Sequence, residues 1–346
     1  MHFGLFVEEK RREADSAGAF DDAFALADAA EAWGMDCVWL GEIHFTPDRS
    51  VISSSLLVAS SIAARTKRLR IGTAVQVLPL NHPLRIAEEI ATVDQISKGR
   101  FEYGIGRSGV VRTYDVYGVA YAESQARFHE ALTIVKEAWK GEPFSYEGTF
   151  YRIDKATVSP LPYQKPHPPL RMAVTTHDTF AVAGQMGLSV FVGLRATDMA
   201  DLKVSLASYR EAWRAAGHGG QPSAYVRIPV YAAATETAAR EDPRDSISAF
   251  FARQTALAKA SLGRAGTSPA RRAQVERMMN LTYEDILATK VAFGTPKRLI
   301  DRLTELREDL GIDGILMEPN PGGLLPRELE RESLRLVTHD VMPAFK

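Results

Sequence analysis

The 346-residue chain has one cysteine, no apolar run near the ~18 residues of a membrane-crossing helix, and no block of one charge sign. Cys37 has no second cysteine to pair with, so an internal disulfide is excluded, which fits a reducing compartment. Within Cys37-Val38-Trp39-Leu40 it reads as a small buried hydrophobe rather than a reactive thiol. A formal net charge of −1 argues against nucleic acid or an anionic membrane as partner. The N-terminal MHFGLFVEEKRR turns charged after a short apolar segment and lacks the order of a signal peptide, so a cytoplasmic protein is expected. His82, His129, His167 and His177 show no metal-ligand spacing, and no metal site is expected. Ser108 sits in Arg-Ser-Gly, which is not a nucleophile elbow.

Apolar residues make up 45 % of the chain, enough for a large core. Short β-type runs alternate with helix-period stretches. Strands are expected at 2–8, 37–42, 69–79, 100–106, 169–174, 189–194, 224–234 and 314–319. Helices are expected at 21–34, 51–66, 83–97, 123–141, 179–187, 198–216, 296–311 and about 326–340, with a hairpin at 144–154. Eight repeats predict a (β/α)8 TIM barrel, with a doubly wound open sheet as the competing architecture. No Pro/Gly/Ser-rich linker divides the chain, so residues 1–346 read as one barrel domain. Residues 240–293 follow the seventh strand, break the repeat, carry GRAGTSPARR (263–272), and read as a partly helical, mobile lid insertion.

Three motifs carry candidate chemistry. In a barrel, functional groups project from the C-terminal ends of strands. Glu42 and His44 of WLGEIHF stand where the second strand ends, and a spacing of two puts them on one face. The competing reading has Glu42 capping a helix or pairing with an arginine, and His44 filling space against Phe45. GIGRSG (104–109) matches the dinucleotide fingerprint literally, but that motif must open a helix, and VVRTYDVYGV shows no clear helical period. Gly104 and Gly106 read instead as a close approach of a flat ligand to the fourth strand, with Arg107 as an anion partner or a surface residue of a turn. Thr175, Thr176 and Thr179 in VTTHDTFAV bring hydroxyls to a helix N-terminus, which suits a phosphate or a plain N-cap.

These motifs, with GTAVQVLPLNHPLRIAEE, DQISKGRFEYGIGR, ARFHEALTIVKEAWKGEPFSYEGTFY, VSPLPYQKPHPPLRMAVTT, FGTPKRLIDRL and GGLLPRELERESLRLVTHDVMPAF, follow one another in a known order. The chain resembles the bacterial luciferase-like, flavin-dependent monooxygenase family. The resemblance implies a barrel that binds FMN, usually delivered as FMNH2 by a separate NAD(P)H:flavin reductase. Reaction of the reduced cofactor with O2 to a C4a-peroxyflavin would then oxygenate a small organic substrate. It also implies site residues. Arg107 matches a phosphate-binding arginine, Thr175, Thr176 and Thr179 match the phosphate loop, and Val174 is a further cofactor-binding position. Ala74 and Val75 fall where the family carries a non-prolyl cis peptide under the flavin ring. Phe6 and Gly106 match ring- or pocket-lining positions. Glu42 matches an acid near the ring, and with His44 it would orient groups or couple protons.

Two departures stand out. A second phosphate arginine of the family falls at Gln125 here, with Arg127 two residues on. Where luciferases have Glu-His-His-Phe, this chain has Glu42-Ile43-His44-Phe45, so the histidine of light emission aligns with Ile43. An isoleucine cannot transfer a proton, which points away from light emission. Two alternatives follow: a deazaflavin (F420) oxidoreductase, as in related barrels, or a flavin-binding barrel without turnover. Helices 51–66 and 83–97 match the region by which the family forms homodimers, against a reading in which they pack on their own barrel alone.

Overall fold

The computed structural model describes residues 1–9, 15–195, 197–262 and 269–346. They fall into two compact units, one of residues 7–31 and 37–173, the other of residues 1–6, 32–36 and 174–346.

In the first unit four strands lie side by side in parallel: Cys37–Leu40, Arg70–Thr73, Phe101–Gly106 and Leu170–Ala173. All four residues of Cys37–Leu40 are buried, and Cys37 is fully enclosed. The register sets Trp39 opposite Gly72. A β-carbon at Gly72 would collide with the Trp39 indole, so glycine there is a packing requirement. The expected single strand at 69–79 is a departure. It breaks into Arg70–Thr73 and Gln76–Val77 around a cis Ala74–Val75 peptide, the non-prolyl cis bond that the resemblance implies at these residues. Thr73 secures the break by donating Oγ1 to the Gly104 carbonyl at 2.7 Å.

The helices of this unit follow the expected order. Pro83–Ser97 matches its expected span, with Pro83 in the first helical position and Ile86, Ala87, Ile90, Ala91 and Val93 buried along one face. The helix expected at 51–66 starts at Ser55 instead. The residues before it form a loop in which Val51 and Ile52 bond to the Glu9 carbonyl and the Ile43 amide. Arg100 closes the far end of that helix, donating to the carbonyls of Ala63, Thr66 and Leu69. The hairpin pairs Phe144–Glu147 with Arg152–Ala156. A helix not expected from sequence, Val111–Tyr117, follows the glycine-rich strand.

In the second unit Gly314–Glu318 pairs in parallel with His2–Val7 on one side and with Ala224–Ala232 on the other. Ala224–Ala232 also pairs with Ser189–Gly193 and, at its end, with a short strand Ala292–Gly294 that the sequence reading did not separate from the insertion. The described part of the insertion is more helical and more apolar than its composition suggested. It contains helices Glu236–Glu241, Arg244–Leu262, Pro269–Met279 and Tyr283–Thr289. Ile247, Phe250, Phe251, Ile286 and Val291 form one buried cluster, and Ala258, Val275 and Met278 another. Residues 263–268 of GRAGTSPARR lie outside the described residues. Apart from the short strands Gln76–Val77 and Ala292–Gly294, the sheet of the described residues has eight parallel strands, each leading on to a helix, as the eight expected repeats require.

Candidate functional site

The buried strand Cys37–Leu40 delivers Glu42 and His44. Past Leu40 the chain is held by backbone bonds from Gly41 N to Val7 O at 3.1 Å and from Ala74 N to Leu40 O at 2.8 Å. Glu42 is 8 % exposed. Its Oε1 accepts the Val77 amide at 3.3 Å and lies 3.0 Å from His44 Nε2. The two residues touch each other, as the spacing predicts. Glu42 caps no helix and pairs with no arginine among the interactions described. His44 does contact Phe45, with ring centroids 5.9 Å apart, so space filling and hydrogen bonding coexist.

The other nitrogen of His44, Nδ1, lies 3.2 Å from Tyr117 Oη. The rings of His44 and Tyr117 meet edge to face at 5.4 Å, and Phe45 packs on Tyr117 at 5.2 Å. Phe45 has φ 53°, a left-handed turn that bends the chain away directly after His44. Burial, and then the Glu42 charge, push the Tyr117 phenol above its ordinary pKa. The sequence reading missed Tyr117 because it found no helix at 111–117.

Gly106 makes the expected close approach, but to a side chain. A β-carbon there would stand 2.6 Å from Val75 Cγ2. The glycine therefore lets the fourth strand pack against the cis Ala74–Val75 segment. Gln76, the next residue, is 5 % exposed, and its Oε1 has no hydrogen-bond partner among the described residues. Arg107 donates Nη1 to Ser124 Oγ at 3.2 Å, and its carbonyl accepts from Tyr114 Oη. Burial, and then the Arg107 charge, lower the pKa of His129. Gln125 is exposed. Arg127 is engaged elsewhere, paired with Glu123 at 2.9 Å and lying 4.3 Å over the Phe150 ring.

In the second unit Val174 is buried and donates its amide to Phe191 O at 3.0 Å. Thr175 and Thr176 are exposed where helix His177–Gln185 begins. Thr179 Oγ1 donates to Thr176 O at 2.7 Å and accepts the Thr176 amide at 3.3 Å. Two of the three threonines thus fasten the helix start, in keeping with the N-cap reading. Phe6 is buried, with the Arg227 guanidinium carbon 3.6 Å above its ring. Arg227 Nη2 in turn pairs with Glu318 Oε1 at 2.5 Å. The sequence reading overlooked both charges, although a lone arginine in AYVRIPVYA and a lone glutamate ending GILME were visible signals. Among the described residues no group of three His, Cys, Asp or Glu side chains could hold a metal ion.

The chain spans about half the length of the curated relatives it matches. It is 32 % identical over 196 residues to the oxygenase component of the flavin-dependent trigonelline monooxygenase of Acinetobacter baylyi, which covers 56 % of this chain and 54 % of the relative. It is 33 % identical over 171 residues to an F420-dependent glucose-6-phosphate dehydrogenase of Kineococcus radiotolerans, covering 47 % of each. A monooxygenase from Streptomyces bottropensis superposes with TM-score 0.83 at 24 % identity, over 100 % of both chains. The oxygenating constituent of 3,6-diketocamphane monooxygenase from Pseudomonas putida, solved with FMN, superposes with TM-score 0.84 at 22 % identity, over 99 % of this chain and 98 % of the other. The fold is the (β/α)8 TIM barrel expected from the alternating pattern, not the open sheet. The family model described as luciferase-like monooxygenase matches residues 1–314, and the chain belongs to that family.

Proposed function

We propose that this protein is a flavin-dependent monooxygenase that uses reduced FMN and O2 on a small organic substrate and receives the reduced flavin from a separate reductase. One observation carries the reading: a buried carboxylate, Glu42, hydrogen-bonded to an imidazole and to the Val77 amide beside the cis Ala74–Val75 segment. Family membership gives that grouping its chemical context. The residues fit a flavin. The buried Gln76 Oε1, without a hydrogen-bond partner among the described residues, is an acceptor suited to a ring N–H, and Arg107 offers a guanidinium to a phosphate.

When bound, reduced flavin supplies the electrons that activate O2 for transfer of one oxygen atom. The protein's own residues have simpler tasks. Ala74, Val75 and Gly106 offer apolar surface to a ring, and Phe6 and Val174 keep the cofactor-binding roles implied by the resemblance. Arg107 serves a phosphate. Thr175, Thr176 and Thr179 retain the phosphate-loop role implied by the resemblance, with Thr175 the hydroxyl not used in fastening the helix start. Glu42 holds or releases a proton, and His44 orients it. The whole chain acts as one domain, with 240–293 as its lid. It works as a homodimer in the cytoplasm; Leu57, 71 % exposed on helix Ser55–Arg65, supports a partner copy there. No described helix is long and apolar enough to cross a membrane.

The F420-dependent relative favours a second reading, hydride transfer from reduced F420. Titration with oxidised and reduced FMN and with F420, followed by O2 uptake, separates the two. Binding of reduced FMN with O2 consumption supports the monooxygenase. Substrate turnover with reduced F420 and no O2 uptake supports the second reading. Tight flavin binding with neither reaction makes the protein a flavin-binding barrel without turnover. Binding of no flavin at all overturns the proposal.

A further inference from the structure

The part of the site least accounted for by the family comparison is the contact between His44 and Tyr117. Three side chains form a continuous hydrogen-bonded line: Tyr117 Oη to His44 Nδ1 at 3.2 Å, then His44 Nε2 to Glu42 Oε1 at 3.0 Å. Exposure falls along it. Tyr117 is 47 % exposed, whereas the side chains of His44 and Glu42 are 12 % and 3 % exposed. A carboxylate this enclosed exchanges protons slowly with bulk water unless a chain of donors and acceptors reaches the surface. The donor inventory gives the line a direction. A carboxylate only accepts, so Nε2 carries the hydrogen it shares with Glu42. Neutral imidazole then has Nδ1 free to accept, and the phenol O–H is its donor.

We propose that Tyr117, His44 and Glu42 form a proton relay from solvent to the reacting group, with Tyr117 as its outer end. This rests on the monooxygenase reading only for the identity of the group that finally receives the proton. In the loading step a hydronium ion gives its proton to Tyr117 Oη and leaves as water. The phenol proton moves to His44 Nδ1, the Nε2 proton moves to Glu42 Oε1, and the carboxylate becomes a carboxyl. One proton has entered and no electrons have moved. Glu42 then passes its proton to the reacting group and is a carboxylate again, after which a half-turn of the imidazole brings its N–H back to face Glu42; where no acceptor is present, transfer in the reverse sense returns the proton to water.

Other contacts keep the line in place. The Val77 amide holds Glu42 Oε1, Thr46 Oγ1 donates to the His44 carbonyl at 3.0 Å, and Phe45 packs on both rings. The raised pKa of the phenol agrees with the same picture, because Tyr117 then passes protons without resting as a phenolate. Ile43 acquires a context as well. The imidazole available in this stretch is His44, and it is wired outward through a residue 73 positions away.

The test compares the intact protein with Y117F, which removes the hydroxyl and keeps the ring that packs on His44 and Phe45. The first readout needs no flavin: nitrogen-15 NMR of the His44 ring in the apo protein at about pH 8. The relay requires a protonated Nε2, an unprotonated Nδ1, and an Nδ1 resonance that moves in Y117F. An Nδ1–H tautomer, a doubly protonated ring, or an Nδ1 resonance indifferent to Y117F overturns the proposal. The second readout is turnover with whichever reduced cofactor the protein accepts. Y117F should lower kcat about tenfold with little change in KM, a portion of the usual gain from acid–base catalysis. Its proton inventory in mixed H2O and D2O should change from curved to linear, and an unchanged kcat and inventory overturn the relay. Absence of turnover with both reduced FMN and reduced F420 would sink the functional reading instead, and the NMR readout would still decide the relay.

Discussion

Glu42 and Glu318 each stand at or just past the end of a buried strand, one in each unit, and their side chains are equally enclosed at 3 % exposure. Their partners differ in kind. Glu42 faces an amide N–H and an imidazole, with a phenol beyond. Glu318 faces the Arg227 guanidinium, itself laid over Phe6. Burial alone therefore does not say what a carboxylate does. One set in a line of exchangeable hydrogen-bond partners has a path along which a proton can pass. One clamped by a guanidinium belongs to the architecture.

Removing the clamp should have the largest effect. Arg227→Met leaves Glu318 buried without its cation, and urea unfolding should show a loss of about 3–5 kcal/mol. R227M/E318Q should recover much of that loss; if the double variant is no more stable than R227M, Glu318 is not held in the way described. Glu42→Gln is the converse case. The amide oxygen can still accept the Val77 N–H, so stability should change by less than about 1 kcal/mol. Turnover with the preferred cofactor should nevertheless fall by about a hundredfold or more. Equal activity of E42Q and the parent would place Glu42 with Glu318 as a structural group.

Asp198 and Lys290 form an intermediate case. Lys290 is buried, and donates to Asp198 Oδ1 at 2.9 Å and to Thr197 O at 3.2 Å, whereas the Asp198 side chain is 54 % exposed. Asp198→Ala should cost roughly 1–2 kcal/mol, less than a fully buried pair because half of the interaction is solvated. The hydrogen bond from Lys290 holds the Asp198 carboxyl below its ordinary pKa. Its stabilisation should thus be present above the usual carboxylate range and be lost as pH falls through the lowered value. A D198A variant as pH-sensitive in that range as the parent would remove this pair as the cause. The smallest effect is expected at the exposed N-cap of helix Tyr283–Thr289. There Thr282 and Asp285 exchange bonds of 2.9 and 3.1 Å, and contacts with Thr282 lower the Asp285 pKa. In Thr282→Ala, NMR titration should show Asp285 moving up toward the ordinary value.

The regular elements were legible to different depths. Pro83–Ser97 could be read to the residue because Pro83 suits a first helical position and the buried residues recur at helical spacing. The third strand could not be read from local propensity. Arg70–Val77 mixes β-formers with Gly72 and Ala74, and nothing in that mix marks where the pairing breaks. The resemblance alone placed a cis peptide at Ala74–Val75, where it stands. Val111–Tyr117 escaped because two turns rich in β-branched and aromatic residues have weak helix propensity, so packing has to supply what propensity does not. The insertion read as polar because its apolar residues are dispersed, and they cluster only once helices Arg244–Leu262 and Tyr283–Thr289 bring Phe250 and Phe251 against Ile286 and Val291.

The chain order of alternating runs was sufficient for the barrel, because strand and helix periods are local properties and eight repeats leave few architectures open. The nearness of Glu42 and His44 was equally local, a consequence of a spacing of two. The rest of what distinguishes one buried carboxylate from the other came from residues distant in sequence. Tyr117 reaches His44 across 73 positions, and Arg227 reaches Glu318 across 91. Hydrogen bonds and ion pairs act over a few ångströms of space, and that distance is set by packing rather than by spacing along the chain.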